Sequence, residues 1–502
     1  MTSKKLLFAR TYEKEAGEKI PSGQRPVLHL SPYTGWTNDP NGFSYYGGKY
    51  HLFYQYNPFS TYWDSMHWGH AVSDDMLHWE YLPAAMAPDT DIDSFGCFSG
   101  SAVTMKDGRQ LLMYTGVRKE NNGGQGEIQT QCIATGDGLD YEKYEFNPVL
   151  DGNDLPNGLS RNDFRDPKIW QEADGSYKCV AGTCNSDRLG RILMFSSPDG
   201  FSWKFESVLA ENDGTFGLMW ECPDYFTLDG KSVLITSPQD MLPQGFEYHN
   251  GNGTLCLIGT YDDKEKKFHR EKDQSVDYGI DFYAPQTALA PDGRRIMIGW
   301  LQNWDTCSLI DRKDMRWFGQ MSIPRELSIR NGRLYQTPVR ELELCRSGRV
   351  EYNGVTVNGD LSLTGINGRV ADIEIVLRPK DPENMYQKFT VRFAQNGRYY
   401  TSLSFRPAES VVKIDRKFSG PRRAYVHQRR CHIPESRGEV KLRLILDRYS
   451  AEVFINDGEY TMSCTILTDP SADRISFHSV GEAVMDITKY DLASEELEYE
   501  KI

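Results

Sequence analysis

The sequence has no apolar run approaching the roughly 20 residues that cross a bilayer, no CxxC pair, and no surplus of positive charge, its formal net charge being -14. Each absence excludes something. The missing run argues against a membrane protein. The missing basic surplus removes the electrostatic footprint for nucleic acid or an anionic membrane, so small neutral partners are expected, and homo-oligomer formation is left open. The ten cysteines (97, 132, 179, 184, 222, 256, 307, 345, 431, 464) are widely dispersed in the chain. That spacing reads as free thiols in a reducing compartment rather than as a disulfide framework. At the N-terminus only Leu6-Leu7-Phe8-Ala9 separates two lysines from Arg10, too short for the apolar stretch of a secretory signal. A cytoplasmic location follows as the expectation. The charged segment from Glu13 to Lys19 reads as a short helix or a loose arm.

Helical periodicity is scarce, and what is present instead is a repeat. A glycine turn opens an apolar strand five times, at Gly48, Gly108, Gly175, Gly230 and Gly293, separated by 60, 67, 55 and 63 residues. An acidic turn recurs further along each unit, at Asp75 to Trp79, Asp137 to Tyr141 and Asp199 to Trp203, with a looser copy at Asp263 to Phe268. Each unit reads as four antiparallel strands, which is a propeller blade, and radial closure protects the edges that five separate sheets would expose. A solenoid is the competing repeat, disfavoured by the scarcity of helical pattern. After Pro338 the grammar changes to period-two runs such as Val440-Lys441-Leu442-Arg443-Leu444, with hairpin turns at Asn396-Gly397 and Asn456-Asp457-Gly458. The predicted fold is therefore all-β: an N-terminal arm (1–27), a five-bladed β-propeller (28–340) and a C-terminal β-sandwich (341–502).

Nine residues before the five hairpin glycines stand Asp39, Ser99, Asp166, Glu221 and Ala284. If the first strand of each blade lines the channel, three carboxylates aim at one spot. Taken singly, an acid beside a proline is ordinary turn chemistry; three at one phase of a repeat are a candidate site. Like charges gather where a metal or an acid/base pair uses them. Arg165 beside Asp166 argues against a metal, His67 and His70 lie three apart in a strand and face opposite ways, and no cofactor is expected. The apolar neighbours of Glu221 (Leu218, Met219, Trp220) are expected to raise its pKa toward that of a general acid. Asp166 beside Arg165, and Asp39 between Asn38 and Asn41, are expected to stay ionised. Two carboxylates with divided roles are the logic of glycoside hydrolysis. Gln55, Trp63, Trp68, Phe98, Tyr283 and Trp300 are expected at the channel mouth, a mixture of flat rings and amides suited to sugars; singly, each ring is an ordinary core residue.

These segments resemble a known family. Trp36-Thr37-Asn38-Asp39-Pro40-Asn41-Gly42, Phe98-Ser99-Gly100-Ser101, Phe164-Arg165-Asp166-Pro167, Trp220-Glu221-Cys222-Pro223 and Asp281-Phe282-Tyr283-Ala284-Pro285-Gln286 are similar to the ordered motifs of the β-fructofuranosidases, the invertase family (glycoside hydrolase family 32). Ala451 to Gly458 resembles its sandwich domain. The resemblance implies metal-free retaining hydrolysis of terminal β-fructofuranosides such as sucrose and short fructo-oligosaccharides. It implies Asp39 as nucleophile, Glu221 as acid/base, and Asp166 with Arg165 on fructose hydroxyls and the transition state. Asn38, Gln55, Trp63, Ser99 and Trp300 would shape the pocket. Thr37 stands where Met is common and Pro285 where Ala is common, which bears on substrate preference. Relatives within the family would be a sucrose-6-phosphate hydrolase, needing a cation near the leaving glucose (Arg118, Lys119, Arg188 or Arg191), a fructan-preferring exo-fructosidase, and a fructosyltransferase. A non-catalytic lectin, or a propeller hydrolase of arabinan or xylan, would not account for this motif set.

Overall fold

In the computed structural model, residues 2–492 are described except 121–125, 308–309, 311, 422–425 and 435–436. Five sheets of four antiparallel strands follow one another along the chain, the first extended by a parallel pairing of Gly35 and Trp36 with Trp317 and Phe318. Their first strands are Gly35–Tyr46, Gly96–Thr104, Arg165–Gln171, Trp220–Leu228 and Tyr283–Leu289. Each first strand contacts the first strand of the next sheet, and the fifth returns to the first, which closes a five-bladed propeller around them. The second strands are packed between neighbouring blades on both faces, which is why they read as unbroken apolar runs. Leu111 and Met113 of the second blade meet Ile169, Ala181 and Leu193 of the third, and Val180 and Met194 of the third meet Leu234 and Leu257 of the fourth.

The repeat signals are backbone devices. All five hairpin glycines have positive φ, from 77° to 91°, a conformation that a side chain opposes. In the acidic turns one carboxylate oxygen accepts from two successive amides: Asp75 from Leu77 and His78 (2.9 and 2.8 Å), Asp199 from Phe201 and Ser202 (2.8 and 2.7 Å). In the fourth blade the acid that does this is Asp262, to Lys264 and Glu265 at 2.8 and 3.0 Å. The fourth copy therefore starts one residue before the expected Asp263.

The charged N-terminal segment is no loose arm. Lys4–Gly17 is a helix capped by Ser3, whose side chain accepts from Leu6. It lies along the outer strand of the first blade, where Ala84 N donates to Glu13 (2.7 Å) and Arg10 donates to Ala84 O (2.9 Å). Burial raises the Glu13 carboxyl to about 7. After the propeller, the long strand Arg474–Leu492 pairs with Lys388–Gln395 in its first half and Ala371–Pro379 in its second. It thereby ties the layers of a β-sandwich around one apolar core.

Propeller and sandwich meet through buried charge. His29 lies between Asp447 (Nδ1 to Oδ2, 2.8 Å) and Glu452 (Nε2 to Oε1, 2.9 Å). Arg325 bridges Glu452 and Asp277, its Nη1 3.1 Å from Asp277, and Arg416 pairs with Asp281. Burial alone would push the His29 imidazole down, but the two carboxylates outweigh it and hold it at about 9. Asp447, against the cost of burial, is held at about 2 by His29 and by the amides of Leu28 and Val27.

Candidate active site

The five positions at one phase of the repeat share a backbone irregularity. In each blade the pairing of first and second strands slips at this point, between Thr37 and Pro40, Phe98 and Gly100, Arg165 and Lys168, Glu221 and Asp224, and Tyr283 and Gln286. Each slip is one extra residue on the inner strand, a β-bulge, which re-aims side chains and excuses a proline from the ladder. Pro167, Pro223 and Pro285 occupy it, and Pro40 bounds it. Asp166, Cys222 and Ala284 within these bulges have left-handed φ of 63°, 48° and 49°, backbone strain of the kind that gathers at functional sites.

The bulges bring the carboxylates into one network. Asp39 Oδ2 accepts from Ser99 Oγ (2.7 Å) and Oδ1 from Asn38 Nδ2 (3.1 Å). Asn38 is itself oriented by Trp36 Nε1 (2.7 Å). Asp166 Oδ2 accepts from the Cys222 amide (2.9 Å) and lies 3.8 Å from Arg165 Nε. Arg165 grips Glu221 Oε1 with Nε and Nη2 (3.1 and 3.0 Å), and Tyr283 donates to Glu221 Oε2 (2.6 Å). Glu221 is the most accessible of the three, its side chain 18% exposed against 7% for that of Asp166. The Cys222 thiol stands 3.5 Å from Asp39 and 3.6 Å from Asp166.

Electrostatics depart from the sequence-based expectation. Asp39 is raised, by burial first, with Ser99 opposing and the Glu221 charge adding. Asp166 was expected to stay ionised beside Arg165, but burial outweighs the guanidinium, Glu221 and Asp39 add to it, and the carboxyl is pushed up to about 7. Glu221 does not sit in the apolar setting its sequence neighbours suggested, because a guanidinium and a phenol hold its two oxygens. Asn41 turns from Asp39 and accepts from the Gly100 amide (3.2 Å).

The expected rim residues divide into two layers. Trp63, 36% exposed, meets Phe95 and Phe98 edge-on at 6.1 and 5.7 Å between ring centres. Gln55 is buried and donates to Cys97 O (3.0 Å). Trp68 is buried with its Nε1 on Phe98 O (3.1 Å). Trp300 is fully buried against Trp36 and Trp304, so it supports the wall rather than lining the mouth. Three participants carry no repeat signal: Cys222, whose amide fixes Asp166; Thr115, whose hydroxyl accepts from the Asp166 amide (2.9 Å); and Asp163, on Arg165 Nη1 (3.1 Å). The hairpin pairing of Thr115 with Phe98, beside Ser99, is the one signal that could have located Thr115.

Residues 29–338 match the model of the glycosyl hydrolases family 32 N-terminal domain, and residues 341–494 that of the family 32 C-terminal domain. The chain is 37% identical to a raffinose invertase of Escherichia coli, over 92% of this chain and 93% of that one. It is 36% identical to a sucrose-6-phosphate hydrolase of the same organism, over 97% and 98%. Among solved structures, a variant of a Bombyx mori β-fructofuranosidase in complex with sucrose superposes with a TM-score of 0.83, at 34% identity over 98% of this chain and 99% of that one.

Proposed function

Because the chain belongs to glycosyl hydrolase family 32 and is a β-fructofuranosidase, we propose that it releases the terminal fructose of sucrose and short fructo-oligosaccharides with retention, through a covalent fructosyl-enzyme. Asp39 attacks fructose C2 as the C2–O bond to the leaving sugar breaks, and Glu221 gives its proton to that oxygen. Water then attacks C2 with Glu221 as base, and Asp39 leaves. Asp166 and Arg165 hold fructose hydroxyls and offset the oxocarbenium-like charge. Asn38, Ser99 and Tyr283 position the reacting carboxylates, Trp63 and Phe98 present rings to the sugar, and Gln55 and Trp300 back the pocket wall. The observation carrying this reading is the contrast between Asp39, locked between Ser99 and Asn38, and the more accessible Glu221, held by Arg165 and Tyr283. A guanidinium within 3.8 Å of Asp166 and 3.0 Å of Glu221 fills the place a metal cation would take. Ten free, buried cysteines support a cytoplasmic location.

The sucrose-6-phosphate reading needs a cation to spare. Arg191 is spent on the carbonyls of Leu189, Gly190 and Asn212, and Lys119 on Glu127 (2.7 Å) and the Phe95 ring. Arg118 and Arg188 have no ion pair among the described residues and are the cations left for a phosphorylated leaving glucose. A panel of sucrose, sucrose 6-phosphate, kestose, inulin and levan, with product sugars quantified, separates disaccharide, phosphorylated, fructan and transfer activities. NMR of the first-formed anomer tests retention: β-fructofuranose is expected, and α as the first product defeats the mechanism.

A further inference from the structure

One layer of the sandwich consists of the neighbouring strands Lys388–Gln395, Thr401–Arg406, Val411–Asp415 and Gln428–His432. Their alternate residues Phe389, Phe405, Val412 and Cys431 enter the core. The pleat therefore sends Lys388, Arg406, Lys413 and Arg430 to the other face. The register places Lys413 directly opposite Arg430, and Lys388 beside Arg406, one step from the Phe389–Phe405 pair. Like charges opposed across a ladder are destabilising, and here there are two such pairs in a chain whose net charge is -14.

Their counter-charges do not balance them. Arg406 pairs with Glu409 (2.9 Å) and Lys413 with Asp415 (2.8 Å). Among the described residues, Lys388 and Arg430 have no ion-pair partner. Four cations against two carboxylates leave two positive charges. Three of the four cations, Arg406, Lys413 and Arg430, line a cavity of about 310 Å³ that opens between this face and Phe246, in the loop of the fourth propeller blade, with Lys388 outside its lining. Glu409 and Ser404 also line it, and the half-exposed Phe246 ring closes one side with Arg430 5.9 Å from its centre. Burial, then Lys413, Arg406 and Arg392, depress the Lys388 ammonium, the cost of holding these cations together.

We propose that this cleft is a second, non-catalytic binding site for a phosphate monoester dianion, with Arg406, Lys413 and Arg430 on the phosphate and the Phe246 ring against an attached sugar. The excess of positive charge on this face suits a phosphate anion, Arg supplies the planar fork that phosphate accepts, and an aromatic ring beside cations offers an apolar face for a sugar.

Calorimetric titration of the full chain with glucose 6-phosphate, inorganic phosphate and glucose tests it. Saturable binding of glucose 6-phosphate but not of glucose is expected, weakened at least tenfold by Lys413→Ala with Arg430→Ala, while sucrose turnover stays at the parent level. Tighter binding of glucose 6-phosphate than of phosphate identifies a sugar phosphate as the ligand; equal binding identifies free phosphate. Titration of Asp39→Ala separates the cleft from the catalytic pocket, and affinity there should be unchanged. Absence of saturable binding by either phosphate, insensitivity to the double substitution, or loss of binding in Asp39→Ala each overturns the proposal.

Discussion

Tyr283 and Glu221, on the inner strands of adjacent blades, are joined by a 2.6 Å hydrogen bond from phenol to carboxylate. Arg165 already holds the other Glu221 oxygen, so the phenol completes the orientation of the proposed acid/base. A hydrogen bond to a charged group contributes roughly 1.5–3 kcal/mol, which corresponds to roughly 10- to 150-fold. Tyr283→Phe should lower kcat/KM for sucrose within that range, with a fall of a few degrees in the melting temperature and the fold retained. Steady-state kinetics and calorimetry check both parts, and parent-like turnover would remove the positioning role.

Asp39→Ala and Glu221→Ala should each abolish fructose release with circular dichroism and melting preserved. Exogenous azide should give azides of opposite configuration: α-fructosyl azide from Asp39→Ala, by single displacement, and β-fructosyl azide from Glu221→Ala, by attack on the fructosyl-enzyme. Full activity in either variant sinks the assignment.

The raised carboxyl of Asp166 has a stability consequence. Its folded value of about 7 lies above its unfolded one, because burial costs more than Arg165 returns. Stability is fully present below pH 4 and is drained as pH rises through 7. Asp166→Asn should therefore be inactive yet melt higher than the parent at pH 8, with the difference shrinking toward pH 4. Melting curves across that range decide the matter, and a deficit at pH 8 would show Arg165 to be the stronger influence.

His29 works in the opposite part of the scale. Its folded value of about 9 exceeds the unfolded one near 6.5, so its contribution is complete below 6.5 and lost as pH rises through 9. Asp447, held at about 2, contributes above pH 4 and loses this as pH falls to 2. The propeller–sandwich seam should be tightest between about pH 4 and 6.5. The decline from 6.5 to 9 has a ceiling of about 3 kcal/mol. His29→Gln should flatten the slope there, and an unchanged slope would assign it to other groups.

Trp63 stands at the rim as a large ring, 36% exposed. Trp63→Ala should raise KM for sucrose about tenfold with a smaller change in kcat, the pattern of lost binding common to ground and transition states. A fall in kcat alone would place the ring at the reacting bond instead.

The blades were legible because their turns use chemistry that depends on few residues: a glycine at positive φ, an aspartate accepting two amides. The convergence of Asp39, Ser99, Asp166 and Glu221 was legible because one phase of a repeat maps to one radius. What stayed hidden depends on contacts distant in the chain. Thr115 reaches Asp166 from another blade, and Cys222 touches two carboxylates that no spacing links to it. Burial was hidden too: Trp300 and Gln55 have the composition of a sugar site but stand behind its wall, and Asp166 lies deep enough to overturn the influence of its neighbour. The helix Lys4–Gly17 buries Leu6, Ala9, Glu13 and Gly17 along one face, and the acid on that face is accounted for by the distant amide of Ala84.

The one-residue bulge common to all five blades makes the proposed catalytic centre a matter of chain length as much as of residue identity. Each blade offers a single address on the axis, and blades two and five fill theirs with Ser99 and Ala284. Swapping the occupant of an address changes chemistry and leaves the wheel intact. Excising Asn38 from the slip between Thr37 and Pro40 would instead restore a regular ladder, turning the side chains beyond it inside out and withdrawing the first carboxylate, whereas replacing Asn38 removes only its hydrogen bonds with Asp39 and Trp36.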